Sequence, residues 1–397
     1  VSSYPPSSPA QPTTLRQRLA GLRGPAVPPR PLDARALAAL AANPGCGRRA
    51  LLDGAGVDKT ALASALGSPA SFGQSQFAIV RGNSFEAKVK GDGGAELLRL
   101  VHAHLAPAAE PPGSPGAGAL VPDLTAAGPE GRAARTALAL REATAAGRDS
   151  GAWTLLDHPM LALEVAGSPA YLEPDAVVVH PDGRWTVVEI KSFPMIDGAA
   201  DAAKVGAAAR QAAVYVLALE KTAAKLPGAE VGHTVLLVCP KDFSNLPTAS
   251  PVDIRRERSV TRRQLDRLTR VEELAAALPE GLSFDPATRS AEELVEAVSA
   301  VDAAYAPECL AACELAFHCR DRARAADQVT ALGRSVRGEL GALTTVEAAL
   351  AAAAGAGCAE DPTAAALHRA ARLRAEALEL AAARPPHPDP ETPACPC

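Results

Sequence analysis

The chain has 397 residues, 48% of them hydrophobic and 21% charged, with a formal net charge of −5. That is enough apolar content to fill a sizeable core in two or three domains, and the charge leaves no global basic footprint, so nucleic-acid binding would have to come from local patches. No run of about 18 apolar residues makes a transmembrane helix and the opening residues lack the apolar stretch of a signal peptide; the expectation is a cytoplasmic chain with no membrane partner, whose eight cysteines serve as metal ligands or buried thiols rather than disulfides.

In chain order, residues 1–32, rich in Pro and Ser, read as a disordered tail. Short helices are expected over 33–66, around the loop NPGCGRR. FAIVRG reads as a short strand or a strand end, and NSFEAKVK as the start of a helix, with Asn83 and Glu86 at capping-box spacing. A Pro- and Gly-rich loop, APAAEPPGSPGAGALVPD, precedes a helix through EGRAARTALALREATAAGR. Strands follow at WTLLDHPMLALEVAG, AYLEPDAVVV and RWTVVEIKSF, then a helix at AAKVGAAARQAAVYVLALEKTAAK and a strand at HTVLLVCP. The remainder reads as mostly helical, with an Ala-rich helical extension over 321–384 and a flexible tail over 385–397. This order predicts an α/β core, a mixed sheet with an antiparallel hairpin flanked by helices, and excludes a doubly wound dinucleotide fold. DGAGVDKTALAS imitates a phosphate-binding loop, but aspartates stand at 53 and 58 where glycines are needed, so no nucleoside triphosphate site is expected.

The hairpin YLEPDAVVVHPDGRWTVVEIKSF carries the chemistry. With His180 and Arg184 closing the PDG turn, Asp175 stands opposite Glu189, and alternation puts Val187, Glu189 and Lys191 on one face. Opposed carboxylates repel, and burying them is costly unless a positive charge compensates. A hard divalent cation, Mg²⁺ or Mn²⁺, is the economical compensation. The plain alternative is a surface hairpin bearing a Glu–Lys pair. Glu164 is a weaker acid candidate, read as a strand-face residue.

PD at 174–175 followed by EIK at 189–191 resembles the PD-(D/E)xK nuclease superfamily, and RQAAVY, with Gln211 and Tyr215 one helical turn apart, is similar to the Q-x3-Y motif of its RecB-like branch. The resemblance implies a restriction-endonuclease-like core, DNA as partner, and a metal held by Asp175, Glu189 and the Ile190 carbonyl. It also implies that Lys191 orients the attacking water and that Gln211 and Tyr215 position the DNA strand. Where the branch carries histidine in G-x3-H, this chain has Gly82 and Glu86, which makes Glu86 a further catalytic and metal-ligand candidate. Cys46 alone, then Cys309, Cys313 and Cys319, resembles the iron–sulfur RecB-like nucleases, among them CRISPR-adaptation exonucleases and AddB-type nucleases. This implies a [4Fe–4S] cluster closing a nuclease domain over 33–320, although the spacing is C-x3-C-x5-C and not C-x2-C-x5-C. A structural Zn²⁺, with His318 able to replace one thiolate, is the alternative. Cys239 and Cys358 are expected as buried thiols, and Cys395 and Cys397 carry no assignment.

The expected function is a metal-dependent DNA nuclease, a single-stranded DNA exonuclease by family weight, in repair, recombination or defence. The alternative is an inactive nucleic-acid-binding module with a zinc or iron–sulfur staple. IRRERSVTRRQLDRLTR (254–270) holds seven arginines and reads equally as a phosphate grip or as a solvated helix face. A protein partner such as a helicase is left unassigned.

Overall fold

The computed structural model describes residues 15–69, 76–114, 118–165, 168–242, 244–266, 270–306, 309–327, 329, 334–357 and 361–383. The chain forms two compact units, one comprising 1–303 with 308–317, the other 304–307 with 318–397.

In the first unit the elements run α1 (Leu15–Arg23), α2 (Ala34–Ala42), α3 (Gly47–Ala55), α4 (Lys59–Ala65), α5 (Gln76–Lys90), α6 (Ala95–Leu105), β1 (Ala119–Leu120), α7 (Gly128–Ser150), β2 (Trp153–Asp157), β3 (Leu161–Val165) and β4 (Ser168–Leu172). They continue with β5 (Ala176–Val179), β6 (Arg184–Ile190), α8 (Ala202–Ala223), β7 (Glu230–Val231), β8 (Thr234–Pro240), β9 (Pro247–Asp253), α9 (Arg255–Leu265), α10 (Val271–Ala276), α11 (Ala291–Ser299) and α12 (Cys309–Ala312). α13 (Ala316–Ala325) spans the boundary, and α14 (Arg334–Leu340), α15 (Val346–Ala353) and α16 (Pro362–Ala383) belong to the second unit, which packs Val329, Leu340 and Val346 with Leu343, Ala349 and Leu367.

Seven strands make a mixed sheet in the order β1-β2-β5-β6-β8-β9, with β7 also on β6, while β3 and β4 form a separate antiparallel hairpin. β2, β5 and β6 are mutually antiparallel, β6 and β8 run parallel across the α8 crossover, and β9 returns antiparallel to β8 as an edge strand. This is the mixed α/β architecture that the element order predicts.

Strand alternation sorts the side chains into two layers. Val177, Val179, Trp185, Val187 and Val235 face a core shared with α7, α8, α2 and the β3–β4 hairpin. Val178, Val188, Ile190, Leu236 and Val238 face the opposite layer, with Phe85 and Val89 of α5 and Leu97 and Val101 of α6. With both faces covered, a strand end that exposes a polar group does so into a sheltered space rather than into bulk water. Trp185 is wholly buried and donates from Nε1 to Thr144 Oγ1 of α7 at 2.9 Å, the partner a buried indole needs. Trp185→Ala is therefore expected to destabilise the first unit by about 3–5 kcal/mol, read as a lowered denaturation midpoint.

Three expectations need correction. Residues 15–32 are ordered: Leu15, Leu19 and Leu22 recur at helical spacing, Leu22 is fully buried, and its carbonyl accepts from the Phe284 amide at 2.7 Å. Residues 1–14 and 385–397 lie outside the described residues. FAIVRG is not a strand, because α5 runs unbroken through it and buries Phe85 and Val89 one turn apart; the β-branched pair was outweighed by that helical face. Asn83 and Glu86 consequently fall inside a helix and make no capping box. β9, within the remainder expected to be mostly helical, is a strand whose Pro247 and Pro251 are tolerated because it lies at the sheet edge.

Candidate active site

The β5–β6 register pairs Ala176 with Val188 and Val179 with Trp185, with Gly183 at φ 86° making the turn that only glycine adopts easily. One step beyond Ala176 and Val188, Asp175 and Glu189 oppose each other, as the PDG closure requires. Asp175 Oδ2 accepts from the Ile190 amide at 2.6 Å, which fixes its carboxylate against the end of β6. The β6 ladder continues to β8 through the Lys191 amide and the Val238 carbonyl at 2.9 Å.

Glu189 is 1% exposed, and neither of its side-chain oxygens has a hydrogen-bond partner. Lys191 Nζ stands 2.5 Å from Oε2 as an ion-pair contact without hydrogen-bond geometry. Burial pushes the Glu189 carboxyl up to about 7 against the pull of Lys191, with Asp175 adding repulsion. Burial likewise raises Asp175, opposed by Lys191 and the Ile190 amide. Burial works against the Lys191 charge, but Glu189 and Asp175 outweigh it and hold the ammonium above its ordinary value. One buried and one half-buried carboxylate against one ammonium leave the pocket short of positive charge, and burying an acid without full compensation is costly. That deficit fits a hard divalent cation with oxygen ligands.

α8 sets the other wall. Gln211 Oε1 stands 3.5 Å from Lys191 Nζ, Gln211 Nε2 donates to the Tyr215 hydroxyl at 2.9 Å, and that hydroxyl donates to the Glu173 carbonyl at 3.2 Å. Tyr215 is 3% exposed, so it acts inward, on the chain entering Asp175. Tyr215→Phe is expected to cost about 1 kcal/mol of stability, seen as a small downward shift of the melting transition.

Glu86 Oε1 is engaged by Lys90 Nζ at 2.5 Å and His158 Nε2 at 3.0 Å. Burial opposes its charge, but those two donors hold the carboxyl down at about 2. Its charge still bears on Asp175 and Glu189. Glu164 is exposed on β3 and lines a separate cleft with Glu220, Lys221 and Arg262, in keeping with a strand-face residue.

Lys90, Asp157 and His158 escaped the sequence reading. The Glu86–Lys90 spacing of one helical turn was the available signal, whereas His158 arrives from the β2–β3 turn with φ 45°, which no local pattern announces. Arg35 at the start of α2 also escaped it: it is exposed, lines a cleft of about 690 Å³ with Arg30, Asp33 and Lys59, and its charge reaches Lys191.

Asn43 links two cysteine segments, its carbonyl accepting from the Cys46 amide at 3.2 Å and its Nδ2 donating to Cys309 Sγ at 3.4 Å. Arg49, buried one turn after Cys46, donates to the Ala312 carbonyl; burial works against its charge, and its ion pair with Asp53 at 3.0 Å outweighs that. Cys319 belongs to the second unit. Among the described residues no three His, Cys, Asp or Glu side chains stand at metal-ligand spacing. Cys239 is buried; Cys358, Cys395 and Cys397 lie outside the described residues.

The arginine-rich segment is partly spent on the protein itself. Arg258 and Arg262 both reach Glu220 of α8 at 2.5 Å and Arg255 pairs with Asp253, while Arg256 and Arg263 are exposed. No described helix is long and apolar enough to cross a membrane.

No family model and no curated protein matches the chain. A crystal structure from Eubacterium rectale, provisionally named an exonuclease, overlaps 62% of this chain and 82% of its own at 11% identity and a TM-score of 0.30. A likeness that slight carries no argument, so the functional reading has to stand on the side chains themselves.

Proposed function

We propose that this chain is a divalent-cation-dependent nuclease that hydrolyses phosphodiester bonds in DNA, in repair, recombination or defence, with exonuclease action on single strands as the finer reading. The observation that carries it is the Glu189 carboxylate, fully buried, with the Lys191 ammonium as its close partner and Asp175 facing it. Burying this acid beside a second carboxylate is costly, and the Lys191 ammonium offsets it only in part.

Asp175, Glu189 and the Ile190 carbonyl would hold Mg²⁺ or Mn²⁺, which when bound acidifies a water and neutralises charge developing on the phosphate. Lys191, held between Glu189 and Gln211, would orient that water and meet the negative charge of the transition state. Gln211 and Tyr215 fix Lys191 and the backbone before Asp175, and through that arrangement they would position the DNA strand against the site. Arg35, Arg256 and Arg263 would supply local, salt-dependent phosphate contacts on a chain of net negative charge. The segments around Cys46, Cys309 and Cys313 are linked through Asn43 and Arg49, and a thiolate-bound staple, a [4Fe–4S] cluster or a zinc ion, would have to draw these thiolates closer than they stand. Iron, sulfide and zinc content of anaerobically purified protein, beside Cys46→Ala, distinguishes the two.

The function is tested by cleavage of end-labelled single- and double-stranded DNA with Mg²⁺, Mn²⁺ or EDTA. Cleavage is expected only with metal, and to be lost in Lys191→Ala. Full DNA binding with no cleavage in any metal would leave a binding module in place of an enzyme.

A further inference from the structure

The last turn of α5 and the β2–β3 turn hold a set of charges that the catalytic reading leaves unused. Lys90 closes α5 with its side chain only 11% exposed. Its ammonium is surrounded by Glu86 Oε1 at 2.5 Å, Asp157 Oδ1 at 2.6 Å, the Asp175 carbonyl oxygen at 2.7 Å and His158 Nε2 at 3.2 Å. An ammonium has three N–H donors, and Glu86, Asp157 and the Asp175 carbonyl take them up, while His158 Nε2 donates to Glu86 and closes the shell from outside. Two carboxylates and a carbonyl are also oxygen ligands that a divalent cation such as Mn²⁺ takes. The shell adjoins the Asp175–Glu189 pair through one residue: Asp175 turns its carboxylate to the end of β6 and its carbonyl to Lys90.

We propose that Lys90 is a resident cation, a positioning residue whose ammonium permanently fills the second cation position beside Asp175 and Glu189, so that the protein takes up one exchangeable divalent ion and not two. The inference rests on the nuclease reading above. Glu86, Asp157 and His158 stand 2.5 to 3.2 Å from the ammonium, longer than the ~2.1 Å bonds of a small divalent cation, and among the described residues no three His, Cys, Asp or Glu side chains stand at ligand spacing. Vacating the ammonium leaves Glu86 and Asp157 without the cation that draws them together, and a divalent ion would take its place between the two carboxylates. The backbone turn at His158, φ 45°, brings the imidazole back to Glu86 and completes the shell from a second element. A tethered charge cannot be chelated or exchanged, so the phosphate-neutralising work of a second ion would be present at any metal concentration.

The test is Mn²⁺ binding to the full chain, counted by calorimetry and by electron paramagnetic resonance, for wild type, Lys90→Met and Lys90→Arg. The expected stoichiometries are one, two and one ion per chain, with a spin-coupled Mn²⁺ pair in Lys90→Met only. Lys90→Gln, which keeps a hydrogen-bonding side chain in the shell, substitutes for Lys90→Met if that variant does not fold, and is likewise expected to bind two. Wild type binding two ions, or a folded Lys90→Met or Lys90→Gln binding one, overturns the resident-cation role and leaves the nuclease reading intact. Wild type binding no Mn²⁺ overturns both.

Discussion

Glu189→Gln is expected to lose metal-dependent DNA cleavage by about 10³-fold or more and yet to be more stable than the wild type at neutral pH. The loss corresponds to the several kcal/mol that a Lewis-acidic cation contributes, at about 1.4 kcal/mol per decade of rate. The gain follows from burial. The folded-state value of Glu189, about 7, lies above its ordinary 4.5, so between those limits the native state binds more protons than the unfolded chain. Stability from this group is therefore fully present below about pH 4.5 and is lost as pH rises through about 7. Glutamine has no charge to bury, so the variant's advantage should grow across that window towards roughly 3 kcal/mol, less what Lys191 gives up with its partner. His180 runs the other way: burial lowers it to about 4, so its contribution increases with pH. The difference between variant and wild type cancels His180, which is why paired denaturation curves over pH are the measurement to make. Equal stability at about pH 5 and about pH 8 would remove the buried anion from the account, and with it the main support for the metal.

The second large effect is linkage between metal, protons and folding. Below about pH 7 a cation entering the pocket has to displace the Glu189 proton, so apparent Mn²⁺ affinity should fall close to tenfold per pH unit. Calorimetry in buffers of different ionisation enthalpy should count nearly one proton released at about pH 6 and nearly none above about pH 8. Saturating metal should also stabilise the first unit, by about 2.7 kcal/mol at a hundred times Kd, a rise in melting temperature that EDTA reverses. Glu189→Gln should show neither the proton release nor the stabilisation. A pH-independent Mn²⁺ affinity would place the bound ion elsewhere in the protein.

How far the sequence reached follows from the range of the interactions involved. The β5–β6 register was legible because a Pro-Asp-Gly turn fixes which residues oppose each other, and from it came the Asp175–Glu189–Lys191 face. The i,i+4 pairing of Gln211 with Tyr215 was equally local, but its direction was not: only the packing of α8 on the sheet makes Tyr215 an internal strut. The start of α5 was misjudged because Ile79 and Val80 favour a strand on propensity alone, whereas the buried face at Phe85 and Val89 decides. β9 was missed because its prolines argue against any strand until its place at the edge is known. The shell around Lys90 draws on α5, the β2–β3 turn and the chain before β5, segments about 70 to 85 residues apart. No window of sequence holds all of it.

The two borders of the main sheet bear on how this protein can associate. At one side β1 is two residues long; at the other β9 carries Pro247 and Pro251, and a proline sits in a paired strand only where its missing N–H would have pointed away from the neighbour. Among the described residues, then, neither border presents a row of donors on which an extended peptide or a second copy could template itself. Recruitment of another protein, or self-association, has to use side-chain surfaces of the surrounding helices. Concentrated solutions should resist the sheet-to-sheet growth that an open border invites.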